Sequence, residues 1–144
     1  MKLRLAVLLS GSGTTLQNIV DLSEAGTLDA EVACVVASRS AAYGLERAAK
    51  HGIPTATVTA KAYPDLDARN ERIWNFVREH QADLVVLAGY MSLIAVPEDF
   101  VHRIINVHPA LIPAFSGQGM YGHHVHEAVV AYGAKISGAT VHFV

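Results

Sequence analysis

Two side chains suited to acyl-type transfer stand two residues apart in Ile105-Asn106-Val107-His108-Pro109. In an extended strand, residues i and i+2 project to the same side, so Asn106 and His108 are held next to each other. Pro109 ends the strand and biases His108 toward extended backbone. The Asn106 amide can donate to an oxyanion that develops when an amine attacks an acyl carbon. His108 can take the amine's proton, or stabilise the oxyanion as an imidazolium. Such a transfer between two bound molecules needs no serine or cysteine nucleophile. An asparagine that ties a loop beside a structural histidine has the same spacing, so spacing alone leaves both readings open.

A second constellation lies near the N-terminus. An apolar run leads into Ser10-Gly11-Ser12-Gly13-Thr14-Thr15-Leu16, and a helical pattern follows. Glycines at a strand–loop–helix junction let backbone approach a ligand, and the free amides of a helix start favour an anion. Thr14 and Thr15 add hydroxyl donors. A tight turn without a ligand is the alternative. A dinucleotide is disfavoured: Leu16 stands where its fingerprint needs a third glycine, and Ala37-Ser38-Arg39-Ser40 offers no acid to a ribose. With no Gly-Lys-Ser/Thr, a triphosphate loop is also absent. Gly11, Ser12, Gly13, Thr14 and Thr15 therefore read as the seat of a single terminal phosphate.

Leu87-Ala88-Gly89-Tyr90-Met91-Ser92-Leu93-Ile94 leaves a strand as an apolar loop. It could form a slot for a flat heterocycle, read by backbone groups, or simply pack on the core. His123, His124 and His126 follow the glycine-rich stretch Ser116 to Gly122. They lack the i, i+4 placement of a helical metal pair, and Glu127 is the one acid nearby. A loop lying over a substrate is preferred, and no metal is expected.

These residues need a scaffold, and the apolar patterning supplies one. Strands are expected at Leu3–Leu9, Glu31–Ala37, Thr55–Val58, Leu84–Ala88, Ile104–Val107 and Ser137–Val144. Helices are expected at Thr15–Glu24, Ala42–Lys50, Leu66–Glu79, Pro97–His102 and Val125–Tyr132. Strands without polar alternation are covered on both faces, and alternation of strand with helix implies an α/β fold with a mainly parallel, open, Rossmann-like sheet. Thr14 and Gln17 form the pattern of a capping box. Pro97 suits a first helical turn, and Gly133 suits a helix end.

The 144 residues make one domain, with a phosphate-binding N-terminal part and a catalytic Asn-x-His-Pro part. Hydrophobic residues at 51% and charged residues at 17% describe a folded chain, and a net charge of −2 points to neither nucleic acid nor membrane. The uninterrupted apolar stretch Leu5–Leu9 is too short for a signal peptide, and the lone Cys34 suits a reducing cytoplasm. The sequence stops inside a strand pattern in which Ala139, Val141 and Phe143 share a face. A fragment, a truncation, or a domain that relies on a partner is expected, with a second copy covering that bare edge.

In this order, Ser-Gly-x-Gly-Thr-Thr-Leu-Gln, Tyr43-Gly44-Leu45-Glu46-Arg47-Ala48, Val85 to Met91, Ile105 to Pro113 and Gly138 to Val144 resemble the phosphoribosylglycinamide formyltransferase family over the whole chain. The resemblance implies transfer of a formyl group from 10-formyltetrahydrofolate to the amine of glycinamide ribonucleotide in purine synthesis. It implies that Gly13, Thr14 and Thr15 hold the substrate phosphate. It implies that Met91, Ser92, Leu93 and Ile94, with Asn106, meet folate, and that Asn106 and His108 are catalytic. It also implies a catalytic aspartate about five residues beyond Val144, so the chain as written is expected to transfer poorly or not at all. Ser92 and Leu66 stand where some members carry arginines. A formyltransferase acting on another amine, and a non-catalytic remnant that binds a phosphate ligand or a partner, are the alternatives.

Overall fold

Apolar runs buried on both sides set the middle of the sheet, and amphipathic helices cover its faces. The computed structural model describes residues 1–144. In chain order the elements are β1 (Leu3–Leu9), α1 (Thr14–Glu24), β2 (Ala30–Ala37), α2 (Gly44–Lys50), β3 (Thr55–Thr57), α3 (Leu66–Glu79) and β4 (Leu84–Leu87). A 3-10 turn (Glu98–Phe100), β5 (Ile104–His108), α4 (His123–Tyr132) and β6 (Thr140–Phe143) complete them.

The strands form one sheet in the order β3-β2-β1-β4-β5-β6. β1 to β5 run parallel, and β6 is antiparallel to β5. Strand order reverses between β1 and β4. In open α/β sheets the crevice at the carboxyl ends of the strands on either side of such a reversal is where ligands bind.

Alternate residues of the central strands feed two cores. On one face Ala6, Leu8, Val36, Val85 and Ile104 pack with Ile73, Trp74 and Val77 of α3. On the other, Leu5, Val7, Leu9, Val35 and Val86 pack with Leu16 and Val20 of α1 and Ala48 of α2. Trp74 stacks on Phe100 with ring centroids 4.9 Å apart. α3 starts at Asp65, whose carboxylate accepts the Ala68 amide at 2.9 Å, a side-chain cap on a free helix amide. Arg78 near its end grips Asp99 at 2.8 Å and holds that carboxyl below its ordinary range.

Two local expectations are corrected. The Thr14–Gln17 capping box does not form. Gly13 is the N-cap, at φ 72°, and no side chain caps α1. Gln17 instead donates to Asp21 at 2.8 Å and meets His51 at 3.2 Å. The left-handed Gly13 starts the helix one residue early and leaves its first amides without a side-chain acceptor. The segment Pro97–His102 is a single 3-10 turn, with Pro97 outside it in extended backbone. Gly133 ends α4 in the left-handed conformation, at φ 83°.

β6 pairs Val141 with Val107 and Phe143 with Ile105. Val107, Val141 and Phe143 are 37%, 61% and 63% exposed, so the outer end of the sheet carries a bare apolar face. The opposite face of the same pair carries Asn106 opposite His142 and His108 opposite Thr140.

Candidate active site

The glycine loop sits at the reversal point, between β1 and α1. Gln17 is the first residue of α1 whose amide reaches back, to the Gly13 carbonyl at 2.9 Å. The amides of Thr14, Thr15 and Leu16 therefore lack helical partners, as at any helix start. Two contacts from α2 hold the loop from outside: the Gly44 amide donates to the Gly11 carbonyl at 3.1 Å, and Arg47 Nε donates to the Ser12 carbonyl at 2.8 Å. The approach is close enough that a Cβ on Gly13 would lie 2.6 Å from Gly44 Cα. Gly11 to Thr15, with Ala88 and Gly89, line a recess of about 200 Å³.

Ser10 joins this loop to the next one. Its amide donates to the Gly89 carbonyl at 3.2 Å, and its hydroxyl oxygen accepts the Met91 amide at 2.8 Å. Further along, α3 clamps the loop at Ala95. Asn70 Oδ1 accepts the Ala95 amide at 3.0 Å, and Trp74 Nε1 donates to the Ala95 carbonyl at 2.9 Å. Burial pushes the Tyr90 hydroxyl above its ordinary pKa. The four residues of the expected folate loop part company. Met91 faces the cleft that holds Asn106 and His108. Ser92 lines a neighbouring cavity of about 440 Å³ with Ser38, Arg39 and Lys61, and Met91 borders that cavity as well. Leu93 is 72% exposed, and Ile94 packs against the core.

Asn106 and His108 stand on one face of β5, as their spacing requires. His108 is 9% exposed, and its Nε2 lies 2.8 Å from the Phe115 carbonyl. A carbonyl only accepts, so Nε2 carries the proton and Nδ1 is the atom left for chemistry. No Asp or Glu oxygen lies within 4.0 Å of either ring nitrogen. The Asn106 amide nitrogen lies 3.2 Å from His142 Nε2. Thr140, opposite His108, donates to the Ala110 carbonyl at 2.6 Å and accepts the Ile112 amide at 3.0 Å, which fixes the chain leaving β5.

A cleft of about 510 Å³ brings these parts together. Thr14 and Thr15 stand at one side, Tyr90 and Met91 at another, and Asn106, His108 and Pro109 at a third, with Met120, Tyr121, Gly122 and His126 also lining it. The last four belong to the glycine-rich stretch and α4, which is pinned where Val125 and Val129 pack on Ala110. The loop thus borders the cleft, as a segment lying over a substrate would. No three His, Cys, Asp or Glu side chains group as a metal set would. His142 and Tyr121 escape a reading of motifs. The alternation of Thr140 with His142 along β6, set in register with β5, is the signal that marks His142.

The tetrahydrofolate co-substrate that the sequence resemblance implies suits this lining. Met91, Met120 and Tyr121 give a flat ring an apolar wall, while Asn106 and His108 put polar atoms at one end.

Comparison with known proteins places the chain. A family model described as formyl transferase matches residues 3–144. The chloroplastic phosphoribosylglycinamide formyltransferase of Arabidopsis thaliana is 39% identical over 144 residues, 98% of this chain and 49% of that protein. The phosphoribosylglycinamide formyltransferase of Haemophilus influenzae is 36% identical over 143 residues, 98% of this chain and 65% of that protein. The chain thus spans about half to two thirds of these curated relatives. Glycinamide ribonucleotide transformylase 1 from Symbiobacterium toebii superposes with a TM-score of 0.90 at 40% identity, covering 99% of this chain and 66% of that one. With a match running from Leu3 to the last residue and a shared fold, the chain belongs to the formyl transferase family.

Proposed function

We propose that this chain carries the phosphate site and two of the catalytic residues of a phosphoribosylglycinamide formyltransferase, which moves a formyl group from 10-formyltetrahydrofolate to the amine of glycinamide ribonucleotide. The observation that carries it is the single cleft of about 510 Å³ shared by Thr14, Thr15, Met91, Asn106 and His108. A ribonucleotide whose phosphate rests on the uncapped start of α1 points its other end toward β5. That end is where an amine meets the amide and the imidazole.

Each side chain has a derived task. The α1 amides and the Thr14 and Thr15 hydroxyls hold the phosphate, helped by the helix dipole. Asn106 donates an amide hydrogen to the oxygen that gains charge as the amine adds. His108, with Nε2 tied to Phe115, offers Nδ1 to the proton released by that amine, and returns it to the folate nitrogen as the bond from that nitrogen to the formyl carbon breaks. The Tyr90–Met91 wall takes the flat ring of the folate and excludes water from the reacting atoms. A cytoplasmic setting agrees with the single thiol, Cys34, being buried.

The test is calorimetry with glycinamide ribonucleotide, together with a formyl-transfer assay on the intact protein and its Asn106→Ala and His108→Ala variants. Binding of the ribonucleotide, and a fall in turnover of roughly 10² or more for each variant, are expected. Absence of ribonucleotide binding, or full turnover in both variants, overturns the reading.

A further inference from the structure

The pairing of β5 with β6 sets Asn106 directly opposite His142. Their side chains touch on the cleft side of the sheet: the amide nitrogen of Asn106 is 3.2 Å from His142 Nε2. The other ring nitrogen of His142, Nδ1, lies 3.0 Å from the Phe143 carbonyl. These two contacts fix the protons. The Phe143 carbonyl has no hydrogen to give, so Nδ1 carries one, and in the neutral form of the ring Nε2 is left bare. Nε2 then carries a lone pair, and only a donor can sit beside it. The group that Asn106 turns to His142 is therefore its NH2.

This matters for the oxyanion. An asparagine amide can turn by 180° about its last bond and exchange oxygen for nitrogen at little cost when nothing distinguishes the two ends. In one orientation Asn106 presents a hydrogen to a developing negative charge. In the other it presents a partly negative oxygen and repels that charge. One amide hydrogen spent on His142 leaves the second on the same nitrogen free.

We propose that His142 is a positioning residue that locks the Asn106 amide with its nitrogen toward the reacting oxygen. It acts through Asn106 and does not itself meet the substrate. The proposal rests on the reading of Asn106 as the oxyanion donor, and it adds a residue that motif spacing does not mark.

The intact protein tests it in three ways. Turnover of His142→Ala is expected to fall about 10-fold or more, but by less than the roughly 10² to 10³ that loss of an oxyanion donor costs. KM for both substrates should stay within about twofold, because an interaction made only in the transition state changes kcat. His142→Gln, whose side-chain oxygen can accept from Asn106, should recover part of the loss. In an Asn106→Ala background, His142→Ala should add nothing further, since residues acting as a unit are not additive. Nitrogen NMR of the His142 ring gives a readout independent of turnover, with Nδ1 protonated and Nε2 bare.

A wild-type protein that neither binds glycinamide ribonucleotide nor transfers a formyl group strikes the functional reading, while the NMR result still judges the His142 tautomer. If the wild type is active and Asn106→Ala impairs it, two results overturn the positioning role alone. One is unchanged turnover in His142→Ala. The other is a loss in His142→Ala that persists in full on top of Asn106→Ala.

Discussion

Gly13 and Gly11 lie two residues apart in one loop, yet the structure assigns them opposite tolerances. Gly13 has φ 72° and its missing Cβ would lie 2.6 Å from Gly44 Cα, whereas a Cβ on Gly11 meets nothing within 4 Å. Gly13→Ala pays roughly 1–2 kcal/mol for a side chain in the left-handed region. Backbone stands on both sides of the overlap, so it is relieved only by moving α2 away from the loop, at about 1–3 kcal/mol more, the usual cost of overpacking. The total of about 2–5 kcal/mol corresponds to a Tm lowered by roughly 10 °C, at about 3 °C per kcal/mol for a chain near this size. Displacing α2 also withdraws the Gly44 amide and Arg47 Nε from the Gly11 and Ser12 carbonyls. Affinity for glycinamide ribonucleotide should therefore fall along with stability. Gly11→Ala should melt within about 2 °C of the wild type, as substitutions clear of special features do. Thermal unfolding by circular dichroism and ligand calorimetry on both variants give the comparison. Equal melting of Gly13→Ala and the wild type, or a larger loss in Gly11→Ala, would refute the packing argument.

Trp74→Phe keeps the ring against Phe100 but strips the Nε1 hydrogen from the Ala95 carbonyl, so the cost should be about 1 kcal/mol. Amides 91–96 should exchange hydrogen faster while those of β1 do not, and uniform protection would show that α3 does not clamp this loop. Burial pushes the Cys34 thiol from 9.0 up to about 12, against a smaller opposite pull from Arg4. A raised thiol means that the unfolded chain loses this proton first, so its stabilising effect is whole below about pH 9 and drains away toward about pH 12. Urea unfolding across that window should show a steeper decline for the wild type than for Cys34→Ala, and parallel curves would contradict the shift. Alkylating reagents should also leave the native thiol untouched near neutral pH.

What the residue pattern alone carries divides along physical lines. The strands of the double-faced core are plain in the sequence, because Leu5–Leu9, Val32–Ala37 and Leu84–Leu87 are apolar at every position, which only a strand covered on both sides sustains. Asn106 and His108 are equally plain, since the period of two needs no tertiary information. The helix start is different. Thr14 and Gln17 satisfy the local pattern of a capping box, but the loop is drawn against α2, and that contact puts Gly13 in the left-handed region and takes over the cap position. Local side-chain preference lost to a close approach that only the folded chain contains. The loss has a use in the proposed phosphate site, because a capping hydroxyl would compete for the amides that an anion needs. The same logic governs the β4 loop. Met91 to Ile94 read as one apolar slot, yet Ser10 holds the Met91 amide and α3 holds Ala95, so the intervening residues are spread over cleft, rim and core. The contact that His142 makes is hidden from spacing alone for a related reason. Its partner is 36 residues away in sequence, and only the antiparallel register of β6 on β5 makes it a neighbour of the Asn106 amide. In each case the chemistry-bearing residue type is visible in the chain, and its orientation is set by a contact across the sheet.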